Sequence, residues 1–182
     1  MRVLILAVLL VCFEPTLAAQ IESLQVRQDG ARYSTEMQVL LDVPASMAYA
    51  VLTDYARLAR INPQVREVEL LSGKPPAPAC LRTLVQLCVG ILCKAVEQVQ
   101  DMSRPAATQL HAQVIPEKSN LAYGVADWRF VPVGRSTRLY FNASIEPKFW
   151  VPPLVGPWLV RRALTHEAIT TSQGIEAAAR QP

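Results

Sequence analysis

Three cysteines stand close together in the middle of the chain: Cys80, Cys88 and Cys93. Cys88 and Cys93 bracket Val89-Gly90-Ile91-Leu92, which reads as a hairpin connection. In an oxidising compartment that spacing predicts a Cys88–Cys93 disulfide and a free Cys80. Metal binding is the competing chemistry. It would call for a Cys-x2-Cys pair or a nearby histidine, and neither is present, so no metal is expected. The two histidines, His111 and His166, are far apart and have no Cys or Asp at ligand or triad spacing. A Gly-x-Ser-x-Gly elbow, a P-loop and a Gly-x-Gly-x-x-Gly run are all missing, and with them the usual marks of hydrolases, NTPases and dinucleotide binders. No cofactor is expected.

Carboxylates remain as candidate acids and bases. Glu36, Arg82, Glu97, Asp127 and Arg129 fall in strand-like runs, where polar side chains usually mark the wet face. Glu97 and Asp127 differ, because apolar residues stand two positions away (Ala95 and Val99; Val125). That predicts that they turn inward. An inward carboxylate needs a partner, since an unpaired buried charge is costly, and Arg82 or Arg129 would serve. Together with His111, Glu97 and Asp127 would be the acid–base groups of an enzyme. A third group is aromatic: Phe149, Trp150 and Trp158, with Lys148, Arg161 and Arg162 beside them. These rings either fill the core or form a lip at a pocket rim that touches a membrane surface transiently.

Those residues need elements to hold them. Tyr33 to Val43 alternates apolar and polar, a half-buried strand. Pro44-Ala45-Ser46 opens a short helix to about Asp54, and a second helical turn, Ala56 to Ile61, stops at Asn62-Pro63. Strand-like runs follow over 65–71, 80–88, 93–102, 108–115, 123–131 and 137–145, separated by Gly/Pro turns, which indicates an antiparallel sheet. The Pro-rich segment 149–157 then leads into a helix over about Trp158 to Ala179, with Pro157 in its first turn.

The first residues predict export. Arg2, the apolar run Val3 to Phe13 and the small residues around Ala18-Ala19 describe a signal peptide over 1–19, cleaved after Ala19 or Ala18. Leu9-Leu10-Val11-Cys12 is a faint lipoprotein box, but Val11 is not small. The remaining residues, 20–182, suit a single domain, periplasmic or secreted. A net charge of +3 without a Lys/Arg cluster argues against nucleic acid as a partner. A monomer is expected.

The order of elements is that of an α+β helix-grip fold, a curved antiparallel sheet around a long C-terminal helix with two short helices after the first strand. The chain resembles the polyketide cyclase/dehydrase and START-like lipid-transfer superfamily, including its coenzyme Q-binding members. The resemblance rests on Val43-Pro44-Ala45-Ser46, Val51-Leu52-Thr53-Asp54-Tyr55, Ile61-Asn62-Pro63, Trp128-Arg129-Phe130, Thr137-Arg138-Leu139 and Pro152-Pro153-Leu154-Val155. It implies a cavity between sheet and helix that holds a lipid, an isoprenoid or a quinone-like molecule. Val39, Leu41, Val85, Val99, Val125, Leu139, Trp158, Leu159 and Ala163 would line it, with Glu97 and Asp127 as polar anchors. The resemblance leaves two other uses open: a cyclase or dehydratase acting in the same cavity, and a scaffold with a filled core.

Overall fold

The computed structural model describes residues 19–74 and 78–181. The leader read over residues 1–19, with Cys12, lies outside the described residues apart from Ala19. The chain runs β1 (Gln20–Asp29), β2 (Arg32–Leu41), α1 (Ala45–Thr53), a 3-10 turn (Tyr55–Arg57), α2 (Leu58–Ile61), β3 (Val65–Gly73), β4 (Ala79–Val89) and β5 (Leu92–Ser103). β6 (Gln109–Val114), β7 (Leu121–Val133), β8 (Ser136–Pro147) and α3 (Gly156–Arg180) complete it. Among the described residues the strands form one eight-stranded antiparallel sheet in the order β1-β2-β8-β7-β6-β5-β4-β3. This is the helix-grip architecture, with the curved sheet wrapped around α3.

The alternation expected from Tyr33 onward is present: Tyr33, Thr35, Met37, Val39 and Leu41 of β2 are buried. β1 was not expected. Its pairing with β2 shifts register between Ile21 and Ser23. That irregularity moves the apolar positions from Ile21 to Leu24 and Val26, which breaks the period-two pattern by which a strand is read. With β1 in place, the two short helices follow the second strand rather than the first.

α3 spans about 37 Å at 1.5 Å per residue. Its C-terminal end is tied to the end of β2. Asp42 N–H donates to Glu176 Oε2 at 3.0 Å, and Arg180 pairs with Asp42 at 3.1 Å and with Glu176 at 2.7 Å. Ile175 and Ala179 of this end pack against Val39, Leu41, Ala48, Leu52 and Phe130. Beyond Leu52 and Ile175, which border the cavity, that end of the space between sheet and helix is filled core.

Cys88 and Cys93 are register partners flanking the β4–β5 turn and form a disulfide, with Cα atoms 4.1 Å apart. The closer, non-hydrogen-bonded pairs of an antiparallel ladder sit at about 4.5 Å, so strand pairing itself sets the two cysteines side by side. Gly90 in the turn has φ +61°, a conformation that a side chain disfavours. Among the described residues Cys80 is the free cysteine, and burial pushes its thiol pKa up.

Candidate ligand-binding site

Along α3 from Gly156 to Ile175 the helix and the sheet enclose a cavity of about 470 Å³. The helix contributes a stripe at i, i+3 and i+4 spacing: Leu159 and Val160, Ala163 and Leu164, Glu167 and Ala168, Thr171 and Ser172. The facing wall comes from inward positions of the strands, such as Val85 of β4, Val96 of β5, and Leu139 and Phe141 of β8. The β4–β5 tip (Leu92, Cys93, Lys94) and the segment before α3 (Phe149, Trp150, Val151) make the mouth. Lys94 Nζ sits 4.9 Å from the Phe149 ring centroid, joining the two sides of that mouth.

Of the residues expected at the cavity, Val85, Val125, Leu139, Leu159 and Ala163 border it, as do Phe149 and Trp150 of the lip. The others fall elsewhere. Val39 and Leu41 point inward but belong to the filled core closed by α1 and the end of α3. Val99 is buried beside the 115–120 connection, where Ser119 Oγ accepts from its N–H at 2.8 Å. Trp158 is 53% exposed and lies off the inward stripe, with the Arg162 guanidinium 5.7 Å from its ring. Arg161 and Arg162 are exposed, and Lys148 donates to the Pro116 carbonyl.

Glu97 and Asp127 do not turn inward. β5 presents Val96, Gln98 and Gln100 to the cavity, so Glu97 has the opposite parity. It hydrogen-bonds Arg82, which also reaches Glu67 at 3.2 Å, in a network outside the cavity. Asp127 accepts from or pairs with His111 Nδ1 at 2.8 Å across β6 and β7, again outside the cavity. Solvated pairs of this kind contribute little stability. The three acid–base candidates therefore do not converge on a substrate-sized space. Among the described residues no cluster of His, Cys, Asp and Glu could hold a metal ion.

The ionisable group inside was not anticipated. Glu167 supplies the one carboxyl among the cavity's lining residues, and Lys94 at the mouth supplies the one amine. Asn62, 2% exposed at the end of α2, donates from Nδ2 to Glu167 Oε1 at 2.7 Å and to Thr171 Oγ1 at 2.8 Å. Its Oδ1 accepts from the Gln64 N–H at 2.9 Å. Pro63 sets this up, because the residue before proline leaves the helical region and ends α2 at Asn62. Glu167 Oε2 is buried and has no hydrogen-bond partner among the described residues; Gln64 Oε1 and Tyr49 Oη are in the same position, away from the cavity lining. A sequence signal for Glu167 existed: it keeps step with Leu159, Ala163 and Leu164 on the stripe. Nearby, burial pushes the Tyr55 phenol up to about 12, so it stays neutral.

Burial raises the Glu167 pKa, opposed only in part by the Asn62 hydrogen bond. The folded protein therefore keeps this proton to higher pH than the unfolded chain, whose glutamates titrate at about 4.3. Its contribution to stability is full below that value and is lost as pH rises through the folded pKa. Glu167→Gln, which keeps an acceptor for Asn62, is expected to remove this loss. Urea unfolding of both proteins from pH 4 to pH 8 should show the variant gaining on the native protein as pH rises. A constant difference would mean that Glu167 is ionised in the fold.

Comparison with known proteins agrees with this geometry. The sequence profile described as polyketide cyclase / dehydrase and lipid transport matches residues 32–173, and the chain belongs to that family. Among curated proteins no sequence matches. The Zhui aromatase/cyclase from Streptomyces sp. R1128 superposes with a TM-score of 0.67 at 16% identity, over 82% of this chain and 94% of that one. A START superfamily protein from Mycobacterium smegmatis gives 0.65 at 20% identity, over 81% of this chain and 97% of that one. At such identities the likeness is one of fold.

Proposed function

We propose that this protein is an exported carrier for an apolar small molecule, a lipid, an isoprenoid or a quinone-like compound, held between the sheet and α3. The cavity carries the reading. Its volume of about 470 Å³ falls within the roughly 300–1,000 Å³ of ligand sites, and its lining is mainly aliphatic and aromatic. The family description, which includes lipid transport, supports carriage. A cyclase or dehydratase would need converging acid–base groups, and Glu97, Asp127 and His111 lie outside the cavity. Export is supported by the apolar run Val3 to Phe13 and by the Cys88–Cys93 disulfide. Every described strand begins at or after Gln20, so removal of residues 1–19 leaves the sheet whole. The carrier is a monomer and does not bind nucleic acid. The test is mass spectrometry of the organic extract from protein purified out of the periplasm. One apolar species in near-stoichiometric amount is expected. Protein with no extractable species and no uptake of an apolar dye would sink the reading.

Unloading takes place at a membrane surface. No helix among the described residues is long and apolar enough to cross a membrane. The mouth carries exposed apolar side chains on both sides: Ile91 (98%) and Leu92 on the β4–β5 tip, Trp150 (78%), Leu154 (95%) and Val155 before α3. Lys94, Lys148, Arg161 and Arg162 lie near them in the chain, each contributing on the order of 1 kcal/mol at an anionic surface. The disulfide stiffens the tip that presents Ile91. Co-sedimentation with anionic vesicles should be strong at low salt and weak at high salt, since the Debye length at physiological ionic strength is about 8 Å. Trp150→Ala should reduce it severalfold. Binding indifferent to both salt and Trp150 would leave these side chains as ordinary rim packing.

A further inference from the structure

We infer that Gln98 and Gln100 of β5, with Thr83 beside them on β4, form the head-group subsite of the cavity, and that the ligand they take ends in an uncharged hydroxyl: a long-chain, isoprenoid or ring alcohol. The inference rests on the carrier reading and narrows it to a ligand class.

The three side chains share one wall. β5 turns Val96, Gln98 and Gln100 to the cavity, and β4 turns Leu81, Thr83 and Val85. Thr83 is the register partner of Gln98, and Leu81 that of Gln100. Opposed residues of an antiparallel pair stand about 4.5–5.5 Å apart, and residues two apart on a strand about 7 Å. Two carboxamides and a hydroxyl therefore make a single polar patch in an otherwise apolar wall.

The protein itself does not use these groups. Asn62, Glu167, Thr171 and Ser172, which also line the cavity, are hydrogen-bonded within the fold. On the other face of β5, Glu97 is paired with Arg82. The side chains of Gln98, Gln100 and Thr83 have no hydrogen-bond partner among the described residues. Both glutamines are only half-buried while lining the cavity, so their amides are open to it rather than sealed. They stand in mid-strand, where no turn or cap calls for an amide. A ligand that covers them without bonding them would bury bare polar groups at a cost.

The chemistry of the patch selects the head group. Each carboxamide offers a carbonyl acceptor and two N–H donors. A hydroxyl donates and accepts, and so answers both. An ether oxygen only accepts and leaves the amide carbonyls unmet; an ammonium only donates and leaves the N–H groups unmet. A carboxylate needs a counter-charge, and the amine of the lining, Lys94, belongs to the mouth. Gln98 and Gln100 lie four and six residues along β5 from Lys94, about 13 and 20 Å at 3.3 Å per residue. The apolar body of the ligand occupies that stretch, against Val85 and Val96.

The experiment is displacement of N-phenyl-1-naphthylamine fluorescence by 1-dodecanol, by its isomer undecyl methyl ether and by dodecane. It compares the native protein with the double variant Gln98→Met, Gln100→Met, in which the side chains keep their length and lose their amides. With about threefold in affinity for each net hydrogen bond, the double variant should bind dodecanol about tenfold more weakly and the ether about threefold more weakly. Dodecane should compete as well as before, which shows an intact cavity. Dodecanol affinity unchanged in the variant would overturn the subsite. Equal weakening of alcohol and ether would overturn the hydroxyl assignment. Weakening of all three ligands alike would make the glutamines part of the framework and overturn the inference as a whole. Failure of the dye and dodecane to bind the native protein would instead overturn the carrier reading.

Discussion

Gly174→Ala should be among the most damaging single substitutions in this domain. Helix propensity alone argues the other way, since alanine in a helix interior is favoured over glycine by about 1 kcal/mol. Contact geometry decides the sign. A Cβ on Gly174 would lie 1.8 Å from the Ile61 carbonyl oxygen and 2.6 Å from its carbon. These are backbone atoms and have no rotamer by which to retreat. The last turn of α2 must move off α3, and Asn62, the next residue, is carried away from Glu167 and Thr171. Two hydrogen bonds from a residue 2% exposed are then lost on top of the clash. A cost above about 4 kcal/mol is expected, of the size reserved for broken buried networks. At roughly 2–4 °C per kcal/mol for a domain this long, Tm should fall by about 8–16 °C. Thermal and urea unfolding check it. A Tm equal to or above that of the native protein would mean that the two backbones do not meet at Gly174.

Much of this was visible in the sequence because the relevant patterns were unbroken. β2 alternates without fault from Tyr33 to Leu41, and Asn62-Pro63 stops α2 where it was expected to stop. The hairpin bracketed by Cys88 and Cys93 is set by its spacing and by Gly90. β1 was lost to reading because of the register shift at Ile21/Ser23. The direction of Glu97 was misread for a related reason. β5 mixes Gln98 and Gln100 among its inward positions, so apolar neighbours at i±2 do not reveal which face is wet. Val39 and Leu41 show a different limit. They have the same inward parity as Met37, which does line the cavity, yet they sit in filled core. Whether an inward residue meets a ligand or a neighbour depends on how closely α1 and α3 approach the sheet at that point. That distance is a property of the packing, to which no local pattern gives access. Glu167 follows the same logic. Its stripe position was readable, but its partner Asn62 comes from another helix, brought close by Gly174.

That distinction between filled and open space gives the second large effect. Ala163→Trp should abolish uptake of an apolar dye while leaving the domain folded. Ala163 is 7% exposed, lines the cavity and projects from α3 midway between the mouth and Glu167. An indole there enters space of about 470 Å³ rather than packed side chains. It occupies the volume that the ligand needs and gains apolar contacts of its own. Val39→Phe is the matched comparison. Val39 is 0% exposed and surrounded by filled core, where added volume forces neighbours off their rotamers at about 1–3 kcal/mol. The two enlargements should therefore separate. Ala163→Trp should lower dye affinity by at least about a hundredfold, the loss of roughly 2.7 kcal/mol or more of apolar contact, with Tm nearly unchanged. Val39→Phe should lower Tm and leave dye affinity in the remaining folded protein close to native. If Ala163→Trp unfolds the protein while Val39→Phe is tolerated, the open space lies on the other side of the boundary drawn here, and the ligand would have to be sought against α1 instead.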